Sequence, residues 1–245
     1  MRSPMNSHAE RLAEVQRRVA AAARRAGRDP AAIDLIAVSK RKPVEDIRAA
    51  YAAGVRHFGE NRADELEAKA QALADLADIQ WHFIGHLQTR QSLAVARYAD
   101  CFHAVDRLRI AERLSHQLVE LGRRLPVFLQ VNLSGEATKG GFAVSDWEHD
   151  EAQLQTLRDA LQEVVALPAL EPIGLMTMAP FEAEAAELAE LFTRTARLGE
   201  QVADLLPDRN ACALSMGMTQ DYELAVEAGA THVRIGTAIF GPRDG

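Results

Sequence analysis

Lys40 is the residue whose type and position most directly suggest covalent chemistry. It follows the apolar run 35–38, which is typical of a buried strand. A lysine at the rim of a low-dielectric interior has its charged form disfavoured, so it exposes a nucleophilic amine that forms Schiff bases. The alternative is that Lys40 belongs to a solvated basic loop with its neighbours Arg41 and Lys42. The other candidate residues decide between these interpretations.

Two short segments near the C-terminus have the chemistry of a phosphate site. In the first, Ser215 supplies a hydroxyl and Gly217 lets the backbone come close to a ligand. In the second, Gly236 and Thr237 supply N–H groups and another hydroxyl. The alternative is that these glycines only relieve crowding inside the protein. Taken together, the two segments favour a phosphorylated ligand.

Arg234 narrows the choice of ligand. A Schiff-base lysine combined with a phosphate site suits sugar phosphates and pyridoxal 5′-phosphate (PLP). Arg234 precedes Gly236 by two residues, so both lie on the same face of a strand, where a guanidinium could meet a pyridine nitrogen. A permanent cation there opposes protonation of that nitrogen and weakens the ring as an electron sink. The alternative is an arginine paired with a carboxylate inside the fold.

The positions of these residues follow from one alternation along the chain. Short apolar, β-branched or aromatic runs typical of strands are followed by stretches with helical periodicity. The eight predicted strands are 34–40, 55–61, 79–86, 101–106, 126–133, 170–178, 211–218 and 232–240. The predicted helices include 44–53, 62–77, 107–121, 145–166, 183–206 and 220–228. The candidate residues lie at or near the ends of the strands.

This alternation predicts an α/β fold, specifically a (β/α)8 TIM barrel. Strands separated by helices must run parallel, and eight such units in 245 residues match a barrel. An open doubly wound sheet usually has a glycine-rich turn after its first strand, whereas the turn 40–43 contains no glycine. Leu12, Val15 and Val19 recur at helical spacing and predict an additional N-terminal helix. We expect residues 1–245 to form one domain, since no linker or repeat divides them.

The composition disfavours several classes of function. The chain has 28 Lys and Arg against 35 Asp and Glu, and its net charge of −7 gives little support to nucleic-acid binding. Cys101 and Cys212 form no CxxC pair, which argues against a disulfide framework or a cysteine-rich zinc site. No stretch approaches the roughly 18 consecutive apolar residues of a membrane-spanning helix. We therefore expect a soluble, cytoplasmic protein without a membrane partner.

Six ordered segments make the sequence resemble a known family. They are AVSK (37–40), HFGEN (57–61), HFIGHLQ (82–88), GLMTM (174–178), LSMGM (214–218) and VRIGT (233–237). With these segments the chain resembles the pyridoxal phosphate homeostasis proteins, the YggS/PROSC-type family, over nearly its whole length. The resemblance implies a barrel similar to the N-terminal domain of alanine racemase, which is PLP fold type III, with PLP as the cofactor.

The resemblance also implies roles for individual residues. It implies that PLP forms an internal aldimine with Lys40 and that Arg234 faces the pyridine nitrogen. The other implied cofactor-binding residues are Ser215, Gly236 and Thr237 at the phosphate, Asn61 in the pocket lining, and Met216 and Gly217 through backbone contacts. One segment and one single residue depart from the family pattern. Residues 89–91 read TRQ instead of a segment closer to Ser/Thr-Asn-Lys, and Thr219 stands where serine is commoner. No catalytic or metal-ligating residue is assigned.

The implied function is intracellular vitamin B6 homeostasis by storage, delivery or buffering of PLP, without established turnover. One alternative is a PLP-dependent amino-acid racemase, which needs acid/base groups on both faces of the substrate α-carbon. In racemases with this barrel a tyrosine from a separate domain serves as the second group, whereas Tyr51, Tyr98 and Tyr222 here fall in helix-like stretches. The other alternative is a Schiff-base aldolase, with Glu60 or Asp106 as the proton carrier.

The expected partners follow from the implied function. They are PLP, other B6 vitamers and, in transient contact, apo-enzymes that require PLP. We expect a monomer, because no sequence feature marks an obligate interface between copies of the chain.

Overall fold

The computed structural model describes residues 7–136, 138–180, 182–208 and 211–241. Within these ranges, helices and parallel strands alternate along the chain. The strands are β1 (Asp34–Val38), β2 (His57–Glu60), β3 (Gln80–Phe83), β4 (Cys101–Val105), β5 (Leu125–Asn132), β6 (Phe142–Ala143), β7 (Leu170–Met176), β8 (Ala213–Ser215) and β9 (His232–Ile235). The helices are α1 (His8–Arg25), α2 (Val44–Ala52), α3 (Ala63–Ala72), α4 (Ser92–Tyr98), α5 (Leu108–Glu120), α6 (Glu151–Ala166), α7 (Ala185–Val202), α8 (Tyr222–Glu227) and α9 (Thr237–Phe240).

Eight of the strands close into a parallel barrel. Their order is β4, β3, β2, β1, β9, β8, β7 and β5, and pairing between β5 and β4 closes the ring. The two-residue β6 lies outside this ring and pairs with the end of β5, where Val131 is the partner of Phe142. The (β/α)8 TIM barrel predicted from the sequence is therefore confirmed.

The strands carry apolar runs because both of their faces are covered. All five residues of β4 are buried, as expected for a parallel strand with the barrel interior on one side and helices on the other. The helices in turn present apolar stripes to the barrel. In α5 these are Ile110, Leu114 and Leu118, which are fully buried at helical spacing.

The additional helix α1 covers the barrel where the first and last units meet. Its apolar stripe, which includes Leu12, Val15 and Val19, is buried against the rest of the fold. Arg11 Nε also donates to the carbonyl of Ile239 in α9 at 2.7 Å. Within the described ranges, no helix is both long enough and apolar enough to cross a membrane.

Several strands end earlier than the sequence predicts. β1 stops at Val38, and Arg41 in the following turn has a φ of +60°. β8 stops at Ser215, and Gly217 follows with a φ of +92°. Both left-handed residues turn the chain away from its neighbours, so the hydrogen-bonded ladder cannot continue. Several candidate side chains thus extend from loops at the rim and not from the strands.

The last predicted strand, 232–240, is wrong in its second half. Thr237–Phe240 forms α9, in which the N–H of Ile239 donates to the carbonyl of Gly236 at 2.9 Å. α6 also starts later than predicted, at Glu151 and not at 145, because Asp150 caps its first turn. In both places local hydrogen bonding at a helix start overrides the hydrophobic pattern.

Candidate functional site

Lys40, Asn61 and Gly236 lie on neighbouring units at the carboxyl-terminal mouth of the barrel. Lys40 is half-buried in the turn after β1, whose neighbours in the ring are β2 and β9. The register between β1 and β2 sets Lys40 and Asn61 level with one another beyond their strands. On the other side, Gly236 follows β9 next to Val38, and a Cβ added to it would lie 3.4 Å from the Val38 carbonyl oxygen. Lys40 therefore stands between Asn61 and Gly236.

A buried ion pair lies directly beneath the Lys40 turn. Lys69 Nζ of α3 contacts Glu60 Oε1 of β2 at 2.7 Å, with side chains that are 8% and 0% exposed. Ser39 Oγ donates to the same carboxylate oxygen at 2.6 Å, and the Ser39 carbonyl accepts from Lys69 Nζ at 2.9 Å. Burial raises the pKa of Glu60, although Lys69 and Ser39 act against it. Because both charged groups bond to Ser39, they hold the backbone from which Lys40 extends.

The same turn has a second attachment to α3. The N–H of Arg41 donates to Glu65 Oε2 at 2.8 Å, and this oxygen also contacts Lys69 Nζ at 3.1 Å. A third bond runs within the turn, from the N–H of Lys42 to the Ser39 carbonyl at 2.9 Å. These bonds fix the turn in a conformation that a non-glycine residue adopts only when its surroundings require it.

Arg234 is a buried cation that neutral groups hold in place. It is 4% exposed; its Nη1 donates to Ser215 Oγ at 2.6 Å and its Nη2 to the Thr177 carbonyl at 2.8 Å. No carboxylate of the described residues lies within ion-pair distance of it. Burial lowers the pKa of the guanidinium to about 10, and the charge of Asp221 opposes this shift. Arg234 is thus charged at neutral pH, and within the described ranges it has no carboxylate partner of the kind that the sequence left open.

Ser215 directs its hydroxyl into the barrel interior. Its Oγ is fully buried and contacts Arg234 Nη1 and His103 Nδ1, the latter at 2.7 Å. The next residue, Met216, is also buried, and its N–H donates to the carbonyl of His232 at 3.1 Å. A phosphate at the mouth could use the Ser215 hydroxyl or the Met216 N–H only by breaking these bonds.

Thr219, Gly236 and Thr237 lie together where the last two strands end. The N–H of Gly236 donates to Thr219 Oγ1 at 3.3 Å. Thr237 is the exposed first residue of α9, and the first N–H groups of a helix have no carbonyl partner within it. Hydroxyl groups and N–H donors are therefore adjacent here, which suits an oxyanion such as a phosphate.

Gly217 makes this arrangement possible. With its φ of +92°, a Cβ at this position would lie 2.6 Å from the Ala225 Cβ and 3.0 Å from the Tyr222 Cα. The Gly217 carbonyl accepts the N–H of Arg234 at 3.0 Å. The absence of a side chain thus lets α8 pack closely on the loop that carries Thr219 to Gly236.

A cavity of about 480 Å³ opens at the same mouth on the side of β3, β5 and β7. It is lined by Ile84, His86, Gln130, Thr138, Lys139, Gly140 and Met178. The nearby Asp106 is nearly buried and contacts His86 Nδ1 at 2.7 Å and Arg107 Nη1 at 2.5 Å. Asp106 and Glu60, the proton carriers of the aldolase alternative, therefore both carry ion-pair partners.

Sequence reasoning missed two features of this barrel. It treated Thr219 only as a departure from a family pattern, although its hydroxyl bonds to Gly236. It also missed that His57, His82 and His103 stand on the adjacent strands β2, β3 and β4 and bond to one another. One histidine in each of three consecutive strands was the available signal. His86, four residues after His82, lies in a loop outside this line and bonds to Asp106.

Comparison with known proteins relates the whole chain to one family. Residues 11–244 match the family model described as alanine racemase, N-terminal domain. A Pseudomonas aeruginosa protein named pyridoxal phosphate homeostasis protein is 45% identical over 240 residues, covering 98% of this chain and 97% of the relative. The Escherichia coli K12 protein of the same name is 40% identical over 242 residues, covering 98% of both chains.

Solved structures agree with this relation. PipY of Synechococcus elongatus, solved with PLP bound, has a TM-score of 0.80 and 37% identity, covering 96% of this chain and 100% of that chain. Alanine racemase from Corynebacterium glutamicum has a TM-score of 0.61 and 17% identity, covering 94% of this chain and 61% of that chain, which shows a shared fold alone. The chain therefore belongs to the alanine racemase N-terminal domain family and, within it, to the pyridoxal phosphate homeostasis proteins.

Proposed function

We propose that this chain binds PLP reversibly on Lys40 and acts in vitamin B6 homeostasis by storing, delivering or buffering the cofactor. Relatives at 45% and 40% identity carry the name of that role, and PipY has been solved with PLP. The proposed binding residues are Lys40 as the anchor, Asn61 in the pocket wall, Arg234 at the ring nitrogen, and Thr219, Gly236 and Thr237 at the phosphate.

The buried guanidinium of Arg234 is the observation that carries the proposal. A buried cation is stable only when its N–H groups meet acceptors, and the described residues offer it two neutral oxygens. The lone pair of a pyridine nitrogen is a further acceptor of the right kind. Gly236 follows β9 directly and lies two residues beyond Arg234, so the ring and the phosphate of one ligand can meet both residues.

We assign the phosphate to the residues of the rim loops because the polar groups of the interior residues already form hydrogen bonds within the barrel. Ser215 Oγ and the Met216 N–H both take part in interior hydrogen bonds. Thr219 Oγ1 and the N–H of Thr237 lie at the rim beside Gly236, where an anion needs no rearrangement of the barrel. Ser215 and Met216 then support the site from beneath, and Gly217 is kept as a proposed backbone contact of the cofactor.

The residues around the proposed ligand bear on the choice between retention and turnover. When bound, PLP supplies an aldehyde that condenses with an amine and a conjugated ring that absorbs visible light. Lys40 contributes the amine. Arg234 is a cation at neutral pH, so it opposes protonation of the ring nitrogen and weakens the ring as an electron sink. An arginine at this nitrogen is also compatible with racemisation, so the choice between binding and turnover rests on whether a second acid/base group faces Lys40.

The three tyrosines support a binding role over a racemase. Tyr51 donates to Asp78 at the protein surface, and the Tyr98 hydroxyl accepts from Gln71 at 2.7 Å. Tyr222 is buried in α8 with its ring beneath Arg18 of α1. Each tyrosine lies on a helix outside the barrel. None of them takes the position of a second acid/base group opposite Lys40.

The test is the visible absorbance of the protein mixed with PLP, before and after borohydride reduction, followed by peptide mapping. We expect a pyridoxyl group fixed on Lys40. Lys40→Ala should lose the chromophore and stay folded, because the change removes one rim amine without opening a core cavity. Lys42→Ala, in the same turn, is the matched control and should keep the chromophore.

Two results would overturn the proposal. One is a protein that forms no chromophore with PLP, which would favour a sugar-phosphate ligand. The other is a natively folded Lys40→Ala variant with the full visible absorbance. Racemisation of alanine by the loaded protein at a rate typical of enzymes would replace the homeostasis role with the racemase alternative.

The proposed role also includes a route for release of the cofactor. We propose that the protein works as a cytoplasmic monomer and passes PLP to apo-enzymes in transient contact. Light scattering should give the mass of one chain. An apo-enzyme separated from the loaded protein by a dialysis membrane should gain activity more slowly than one mixed with it, and equal rates would reject direct transfer.

A further inference from the structure

A line of hydrogen bonds crosses the barrel interior beneath the proposed PLP site. It begins where Arg234 Nη1 donates to Ser215 Oγ at 2.6 Å. Ser215 Oγ then contacts His103 Nδ1 at 2.7 Å. All three side chains are buried, with exposures of 4%, 0% and 0%. These groups therefore exchange hydrogen bonds with one another and not with water.

The line continues through two more histidines toward the amino-terminal end of the barrel. His103 Nε2 contacts His82 Nδ1 at 2.8 Å, and His82 Nε2 contacts His57 Nδ1 at 2.9 Å. His57 Nε2 faces Asp34 Oδ1 at 3.9 Å. We call the hydrogen-bonded line the interior chain; its members are Arg234, Ser215, His103, His82 and His57, and Asp34 lies beyond hydrogen-bond distance of its last ring.

The far end of the interior chain is open to solvent. The side chains of His57 and Asp34 are 33% and 47% exposed. Both line a cavity of about 490 Å³ between α1 and the amino-terminal end of the barrel. The interior chain thus runs from a buried guanidinium near one end of the barrel to a partly exposed histidine that faces the Asp34 carboxylate at the other end.

The arginine determines the direction of the first bonds. A guanidinium only donates, so Ser215 Oγ must accept from Arg234. The Ser215 hydroxyl has one proton of its own, and among the described residues its remaining contact is His103 Nδ1. A buried hydroxyl proton without an acceptor is unfavourable, so Ser215 donates to His103 Nδ1.

The same argument gives the donor and the acceptor in each of the remaining hydrogen bonds. A neutral imidazole that accepts at Nδ1 carries its proton on Nε2, so His103 donates to His82 and His82 donates to His57. Burial lowers the pKa of His82 and of His103, which keeps both rings neutral. Every bond therefore points from the guanidinium toward the carboxylate, which is the direction that the two end charges favour.

We propose that the interior chain is a single directed hydrogen-bond relay in which Arg234 holds His103 and His82 as Nε2–H tautomers, and that Ser215, His103 and His82 are positioning residues for the Arg234 guanidinium. The tautomers are a property of the protein alone. The consequence for the cofactor rests on the proposed function, because it requires PLP above Arg234.

A metal ion is the competing use of these histidines. Ligand atoms of His82, Cys101 and His103 lie within 4.8 Å of one another and all three residues are buried. Both nitrogens of each ring already take part in the interior chain, so a metal ion would have to break it. Burial also raises the pKa of the Cys101 thiol and opposes the thiolate that metals prefer. The geometry therefore favours the relay.

The test uses the PLP-free protein labelled with ¹⁵N in its histidines. Long-range proton–nitrogen spectra at neutral pH should show His82 and His103 as Nε2–H tautomers, with His116, whose side chain is 68% exposed, as the internal reference for a solvent-accessible ring. In Ser215→Ala the His103 signals should move toward a mixture of tautomers, because its Nδ1 loses its donor. His86→Gln, at the mouth outside the chain, is the matched control.

The outcomes are distinct. An Nδ1–H tautomer at either ring, unchanged His103 signals in Ser215→Ala, or zinc retained in stoichiometric amount at these residues would overturn the relay. With PLP bound, Ser215→Ala should release the cofactor about tenfold faster than wild type, as expected when Arg234 loses one charge-assisted bond; equal release rates would overturn the positioning role. A wild-type protein that forms no Lys40 adduct would instead reject the proposed function and leave the tautomer result standing.

Discussion

At the residue scale, Ser215 and Thr219 show that two hydroxyl groups close together in the sequence can have different partners. Ser215 is the last residue of β8, and Thr219 lies in the loop that follows it. Ser215 points inward to Arg234 and His103, whereas Thr219 lies at the rim and accepts the N–H of Gly236. Since the two residues are four apart across a left-handed glycine, the backbone decides which hydroxyl reaches the mouth. The distinction predicts different effects of removing each group.

Thr219→Val should weaken PLP binding by about tenfold, because it removes one hydroxyl from a charged phosphate and keeps the side-chain shape. Thr219→Ser restores the hydroxyl and should bind within about twofold of wild type. Titration of visible absorbance measures both affinities, and inorganic phosphate should compete less effectively in Thr219→Val. Equal affinities for the valine and serine variants would remove Thr219 from the phosphate site.

At the element scale, the turn after β1 depends on α3 more than on its own sequence. Arg41 adopts a φ of +60° and is held there by Glu65 of α3, while Glu60 and Lys69 hold Ser39. The second carboxylate oxygen of Glu60 is buried and has no hydrogen-bond partner among the described residues. Such a pair stabilises only while both charges are present.

Lys69→Met should therefore reduce the free energy of unfolding by about 3–5 kcal/mol, because it leaves the Glu60 carboxylate buried without its cation. The double variant Lys69→Met with Glu60→Gln should recover part of that loss. Urea denaturation followed by circular dichroism measures both. A loss below about 1 kcal/mol in the single variant would mean that the pair behaves like an exposed one.

At the scale of the whole molecule, buried histidines couple the barrel interior to pH. Burial lowers the pKa of His82, His103 and His232, for His232 to about 4. In the unfolded chain these rings bind protons near the ordinary histidine pKa of about 6.5. Between these values the unfolded state carries more protons, so acidification through this window destabilises the fold. Glu60, Asp100 and Asp221, whose pKa burial raises, act in the opposite sense.

A comparison of wild type with His232→Gln isolates one of these rings. From its pKa shift, His232 should account for a loss on the order of 3 kcal/mol as the pH falls from 7 toward 4. The variant should lose less stability than wild type over that range, whatever its stability at neutral pH. Urea denaturation at several pH values measures the difference. Parallel curves for the two proteins would show that His232 does not titrate differently in the folded state.

How much the sequence revealed differs between the fold and the site. The eight apolar runs separated by helical stretches predicted the barrel, because strand and helix periods are local properties of the chain. The rim was less predictable. Thr237–Phe240 folds as α9 and not as strand, because the N–H groups of Ile239 and Phe240 both donate to the Gly236 carbonyl. The extent of the domain over residues 1–245 and the oligomeric state stay predictions.

The sequence by itself determined the barrel, the lysine at the end of its first strand and the family to which the chain belongs. Apolar periodicity and motif order are properties of the linear sequence, so neither requires contacts between distant residues. Only the tertiary structure decided which hydroxyl faces the rim, that Arg234 meets neutral oxygens and no carboxylate among the described residues, and that His57, His82 and His103 join in one line. Those relations depend on closure of the ring, which brings residues more than 100 positions apart, such as His103 and Ser215, within hydrogen-bond distance.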